Sequence, residues 1–165
     1  MVRLKELTEY LDFSMEIDKF SDYCPNGLQV EGGEEIIRLA TGVTASQALL
    51  DAAIDWRASA ILVHHGYFWR GESSRLLGYR RNRLRTLLKN DVSLFAYHLP
   101  LDAHPEFGNN VCFGRMLGIE EHQPLFKSHS DGLGNVGMLS SEIELGELVS
   151  RIRRLTDREP LLIGN

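Results

Sequence analysis

Cysteine is scarce in this chain: Cys24 and Cys112 are the only two in 165 residues, far apart and without a CxxC spacing. A disulfide framework is therefore excluded, and reduced, partly buried thiols in a reducing compartment are expected. Long apolar runs are missing too, since no stretch approaches the roughly eighteen residues that a membrane helix needs. The N-terminal MVRLKELTEYLDF interleaves charges with apolar residues where a signal peptide would carry an apolar block. These absences predict a soluble, cytoplasmic globular protein with no membrane partner. The net charge of −5 lacks the positive excess of a general nucleic-acid binder. No low-complexity tract, convincing internal repeat, nucleophile elbow or Walker phosphate loop is found.

What is present is the composition of a globular domain. Hydrophobic residues make up 43% of the chain, enough for a real core in one medium-sized domain, or in one domain plus a fragment of another. Leu4, Leu7 and Leu11 recur at spacings of three and four, which predicts a short amphipathic helix over 3–12. In SDYCPNGLQVEGG, the residues Pro25, Asn26, Gly27, Gly32 and Gly33 indicate a loop region. IIRLATGV (36–43) reads as a strand, and Thr44 with Gln47 as a capping box. The helix that follows, near 45–57, would present Ala48, Leu49, Ala52, Ala53 and Trp56 on one face.

SAILVHH (59–65) and VSLFAYH (92–98) are short and apolar until their last residues, the pattern of strands covered on both faces. Further helices are expected over 80–90 and near 107–117, the second ending at Gly118. The order β-α-β-α-β-α predicts an α/β fold, with a parallel-type sheet and helices on both faces. After about residue 120 the pattern changes. HQPLFKSHSDGLGNVGML is turn-rich, IELGELVSRIRRL is an amphipathic helix, and PLLIGN is strand-like. The chain thus reads as a first α/β half, 1–125, and the start of a second, 126–165, cut short.

Charge is unevenly spread. Between Arg70 and Lys89 seven basic residues face the single acid Glu72. A solvated helix face, with Leu84, Leu87 and Leu88 as its apolar stripe, explains them better than a phosphate site or an acidic partner does.

The histidines carry more information. In a parallel α/β sheet, ligands bind beyond the carboxyl ends of the strands. His64 and His65 end one predicted strand, and His98 ends another, with Asp102 four residues later. Adjacent strand residues point to opposite faces, but at a strand end the backbone turns and both rings can face one cavity. Imidazole and carboxylate together suit zinc, iron, manganese, cobalt or nickel. His104, His122 and His129, isolated in polar loops, are expected only to hydrogen-bond nearby backbone.

PNGLQVEG (25–32), TGVTAS (41–46), VHHGYFWRGE (63–72), NRLRTLL (82–88) and YHLPLDAHPEFGNN (97–110) resemble the signature segments of the Nif-three-like family. Its members are homologues of type 2 GTP cyclohydrolase, and the similarity is greatest to the YbgI-type branch. The resemblance runs from about residue 4 to residue 165. It implies two related α/β halves, a toroidal homohexamer, and a dinuclear site for divalent metal ions facing its interior. By matching motif, His64, His65 and Asp102 would be metal ligands, and His98 a further ligand or a close supporting group. The family completes its site with a histidine followed four residues on by a glutamate, near the end of a chain of roughly 250 residues. Here none of the six histidines has that spacing: His104, His122 and His129 are followed by Gly108, Phe126 and Leu133. The resemblance therefore implies a truncated member of the family with a partial, weakly binding site.

The activity implied is metal-dependent hydrolysis of a nucleotide, by ring opening of a purine or by cleavage of a phosphate ester. His98 would be the catalytic proton carrier, and the basic helix would receive a triphosphate. The competing reading is a ring scaffold, metal chaperone or regulatory protein that binds metal without turnover.

Overall fold

Two apolar layers, sharing one sheet, organise the first part of the molecule. The computed structural model describes residues 1–125 and 133–164. The chain divides into two compact units, Met1–Leu101 and Asp102–Asn165. The junction expected at 125/126 falls where the described residues break off. Among the described residues no helix is long and apolar enough to cross a membrane.

The first unit begins with β1 (Val2–Arg3), α1 (Leu4–Ser14) and a short 3-10 turn (Ile17–Lys19). Then come β2 (Gly27–Val30), β3 (Glu35–Ile36), β4 (Leu39–Thr44), α2 (Gln47–Asp55), β5 (Ala60–His65), α3 (Gly78–Lys89) and β6 (Ser93–Ala96). The short helix α4 (Leu99–Ala103) spans the division between the units. Strands β4, β5 and β6 pair in parallel, as their separation by helices requires. The sheet order is β2-β6-β5-β4, with β2 antiparallel on β6. The fold is α/β, but its sheet is mixed: β2 lies in the stretch expected to be only loop. Its four residues are too few to show an alternating pattern among so many turn residues.

Alternation along the two inner strands explains both layers. Ile61 and Val63 of β5, with Leu94 and Ala96 of β6, pack against Leu50 and Ala53 of α2 and Leu84 and Leu87 of α3. Their neighbours Ala60, Leu62, Phe95 and Tyr97 pack against Leu4, Leu7 and Leu11 of α1. Helices therefore cover both faces, and this is why β5 and β6 read as continuous apolar runs.

Several local readings are corrected. The strand expected over 36–43 is broken, because the backbone N–H groups of Ile37 and Arg38 donate to Ser59 Oγ instead of a neighbouring strand. Thr44 ends β4, and Ser46 is the cap of α2, its hydroxyl accepting from Leu49 N–H at 3.2 Å. The inner face of α2 is Leu50 and Ala53 with Leu49 and Ile54, while Trp56 is 53% exposed with the Arg38 guanidinium over its ring. On α3, Leu84 and Leu87 are buried but Leu88 is exposed. Of the α3 arginines, Arg81 and Arg85 are exposed as expected, whereas Arg80, paired with Glu72 at 3.7 Å, is only 13% exposed and Arg83, lying over Tyr79, is half-buried.

The second unit holds α5 (Asn109–Leu117), β7 (Ile119–Pro124), β8 (Asn135–Leu139) and α6 (Leu145–Thr156). Helix α5 ends at Gly118 in the left-handed conformation, φ 83°, as its sequence predicts. Strands β7 and β8 pair antiparallel. The PLLIGN segment is not a strand over its described residues.

Leu87 is fully buried and Leu88 is 61% exposed. Leu87→Ala is expected to cost about 2–5 kcal/mol of stability, and Leu88→Ala no more than about 0.5 kcal/mol. Urea denaturation of the two variants measures the difference.

Candidate metal centre

The three parallel strands end along one edge, and each delivers part of a cluster. Pairing between β5 and β6 reaches Val63 opposite Ala96 and closes with the Tyr97 N–H donating to the Val63 carbonyl at 3.1 Å. Beyond that point β6 ends and frees His98, while β5 continues through His64 and His65, with His65 still registered against Thr44 of β4. The rings of His64 and His65 stand 4.4 Å apart between centroids, with His98 at 5.0 Å from His64 and 5.7 Å from His65. Ligand nitrogens of all three lie within 4.8 Å of one another. The rings of the two adjacent histidines thus lie close together and close to His98.

Each ring is oriented from behind through Nδ1. His64 Nδ1 lies 3.1 Å from the Tyr97 carbonyl oxygen. A carbonyl only accepts, so this bond puts the His64 proton on Nδ1 and its lone pair on Nε2. His65 Nδ1 lies 3.1 Å from Thr44 Oγ1, at the end of β4. His98 Nδ1 lies 2.8 Å from Asp22 Oδ1. Histidine held this way by a carbonyl or carboxylate is the arrangement that prepares the other nitrogen for a metal. Three imidazoles suit zinc, iron, nickel or copper and leave coordination positions open. The residues present therefore fit a divalent metal.

Asp22 was not among the residues expected to matter. Its side chain is only 2% exposed. Besides His98 it accepts from Asn26 Nδ2 at 3.0 Å, Leu99 N–H at 2.8 Å and Tyr23 N–H at 2.5 Å. Burial would raise its carboxyl, but the bonds from His98, Asn26, Leu99 and Tyr23 outweigh that and hold it below the ordinary carboxylate value. Asn26 completes the clamp, its Oδ1 accepting the His98 N–H at 2.7 Å. Cys24 lies beside this clamp, and ligand atoms of Asp22, Cys24 and His98 also fall within 4.8 Å of one another. Burial, with the Asp22 charge, pushes the Cys24 thiol up to about 11, so it is protonated at neutral pH. Cys24 and Cys112 are both free thiols.

The loop after β5 is pinned to β2. Gln29 Oε1 accepts the Tyr67 N–H at 2.7 Å, and its Nε2 donates to the carbonyls of Tyr67 and Pro25. A side chain at Gly66 would run into Gln29 Oε1 and the Ala96 methyl, so the backbones approach closely there. Gly27, with φ 97°, is required for a similar reason, because Asp12 Oδ1 occupies the place of its side chain at 2.8 Å. That carboxylate belongs to the protein, and the close approach of Gly27 is to Asp12 of α1. Trp69 meets His98 edge-on at 4.9 Å.

The remaining expected residues are placed as follows. Asp102 lies on α4 in the second unit, where its Oδ1 accepts from Asn109 Nδ2 at 2.9 Å. His104 serves its own loop, as expected, its Nδ1 accepting from the Glu106 and Phe107 N–H groups at 3.1 and 3.0 Å. His129 lies outside the described residues.

Residues 2–164 match the model of the Duf34/NIF3 (NGG1p interacting factor 3) family. The chain belongs to this family. A Duf34/NIF3 relative in Pseudomonas aeruginosa, named GTP cyclohydrolase 1 type 2 homolog, is 48% identical over 162 residues, covering 98% of this chain and 64% of the relative. A protein of the same name in Escherichia coli K12 is 47% identical over 163 residues, covering 97% and 63%. This Duf34/NIF3 chain spans just under two-thirds of the length of these relatives. Among solved structures, protein ybgI matches with a TM-score of 0.90 at 46% identity, over 97% of this chain and 63% of that one. TTHA1606 from Thermus thermophilus matches with a TM-score of 0.85 at 35% identity, over 97% and 64%.

Gln29→Ala removes the acceptor for the Tyr67 N–H and frees the loop that follows the histidine pair. The expected cost is about 1–3 kcal/mol, measured by thermal unfolding, with a shift in tryptophan fluorescence reporting the displaced Trp69.

Proposed function

We propose that this chain carries the histidine-rich side of a dinuclear divalent-metal centre in a hydrolase acting on a nucleotide. The observation that carries the reading is the convergence of His64, His65 and His98, with a hydrogen-bond partner behind each ring. The names of the relatives, homologues of GTP cyclohydrolase, support the nucleotide as substrate. Asp102 is proposed as the carboxylate ligand. Self-association into a toroidal hexamer is proposed with it, as the arrangement in which the centre works.

In this reading, His64 and His65 supply their Nε2 atoms from the end of one strand, opposite their bonds to Tyr97 and Thr44, and His98 supplies the nitrogen opposite its bond to Asp22. Bound metal would supply Lewis-acid polarisation and an activated water at neutral pH. The proton-carrying role expected of His98 draws on the same nitrogen, and the Asp22 bond suits either role, because it commits Nδ1 to the protein and leaves Nε2 for a metal or a proton.

Dialysis of the purified chain against zinc, manganese, iron or cobalt, followed by metal analysis, tests the centre. His64→Ala is expected to weaken binding by more than roughly a hundredfold, since losing a group behind a ligand already costs about 10–100-fold. Incubation of the loaded protein with GTP tests the chemistry, with the purine ultraviolet spectrum and chromatography of the product as readouts. Turnover abolished by His64→Ala and Asp102→Ala is the expected result. Metal uptake without turnover favours the non-enzymatic scaffold or metal-carrier reading.

A further inference from the structure

We infer that Asp22 is a positioning residue for the histidine cluster: with Asn26 it locks His98 in the tautomer and orientation that turn Nε2 toward His64 and His65. The inference rests on the proposed metal reading and adds a specific device to it. Three observations on the structure carry it.

The Asp22 carboxylate is almost wholly shielded from solvent, at 2% exposure, yet it is fully partnered. Oδ1 takes His98 Nδ1 and the Tyr23 N–H, and Oδ2 takes Asn26 Nδ2 and the Leu99 N–H. The donors come from both sides of His98: its own ring, the next residue's backbone, and the loop of residues 22–26 that also captures the His98 N–H through Asn26 Oδ1. Two side chains of one loop thus fix ring, backbone and following residue together.

Direction is the second observation. A carboxylate only accepts, so the 2.8 Å contact requires the proton on His98 Nδ1. The lone pair of neutral His98 is then on Nε2. His64 obeys the same rule through the Tyr97 carbonyl, so two neighbouring rings are set in matching tautomers by different parts of the fold.

The third observation separates Asp22 from a ligand. Its four donors already occupy both oxygens, and ligation through the neighbouring Asp22–Cys24–His98 group would require breaking the His98 bond. Asp22 therefore supports the cluster from behind.

Nitrogen-15 NMR of the metal-free chain, in buffer alkaline enough to keep imidazole neutral (about pH 8), reads the tautomer directly. His98 is expected to carry its proton on Nδ1 in the unmodified chain. In Asp22→Asn the side-chain amide can turn its NH2 toward the ring. The proton of His98 is then expected to move wholly or partly to Nε2, and cobalt(II) affinity to fall about 10–100-fold. Cys24→Ser is expected to leave both readouts unchanged. A purely structural role for Asp22 would lower stability without moving the tautomer.

The inference is overturned by a proton on His98 Nε2 in the unmodified chain, a result that does not depend on any variant folding. A folded Asp22→Asn chain with an unchanged tautomer overturns it as well, and metal binding by that chain would leave the metal reading standing. A thiolate-to-cobalt charge-transfer band that disappears in Cys24→Ser also overturns it, by making Asp22, Cys24 and His98 a ligand set. If the tautomer follows Asp22 but the unmodified chain takes up no cobalt, the positioning holds and the metal reading fails.

Discussion

The parallel pairing of β5 with β6, covered on both faces, is the constraint on which the rest of the first unit depends. Four registered pairs, Ala60 with Ser93 through Val63 with Ala96, are buried between α2 and α3 on one side and α1 on the other. Parallel strands running in step end at the same edge. The residues that follow the last pair are therefore side by side: His64 and His65, which β5 carries on beside β4, and Tyr97 and His98, which follow the end of β6. The cluster is thus a consequence of where an apolar pairing runs out, and the same pairing lets the Tyr97 carbonyl reach back to His64.

Outside that pair, polar contacts refine the placement. Tyr97 is fully buried and its hydroxyl donates to Asp12 of α1 at 2.7 Å, so the strand end is tied to the helix beneath it. Tyr67, on the opposite side, donates to the Ala45 carbonyl at 2.8 Å and joins the loop after β5 to the end of β4. Each such bond is modest in net stability. Together they hold several groups in fixed directions, and a candidate metal-binding cluster depends on direction more than on total stability.

Much of this was legible in the sequence. SAILVHH and VSLFAYH display uniform apolar runs because both faces of their strands are covered, and the histidines stand out because they interrupt those runs. Family resemblance singled out the same positions, and the match to Duf34/NIF3 over residues 2–164 agrees with it. The edge strand β2 was not legible, since Gly27–Val30 is short and lies among turn residues. Neither was the break at Ile37 and Arg38, whose N–H groups go to a serine more than twenty residues away. The role of Asp22 was hidden for a related reason: SDYCPNG has the composition of an exposed turn, and nothing local marks its aspartate as buried.

The sequence by itself determined the alternation of strands and helices, the burial of β5 and β6, and the presence of histidines at their ends, because these follow from hydrophobic periodicity and chain order. Only the tertiary structure decided which nitrogen of His64 and of His98 is committed to the protein, and that the partner of His98 is Asp22. Those outcomes depend on hydrogen bonds between residues 33 and 76 positions apart, and a bond of that span exists only after the sheet has brought its ends together.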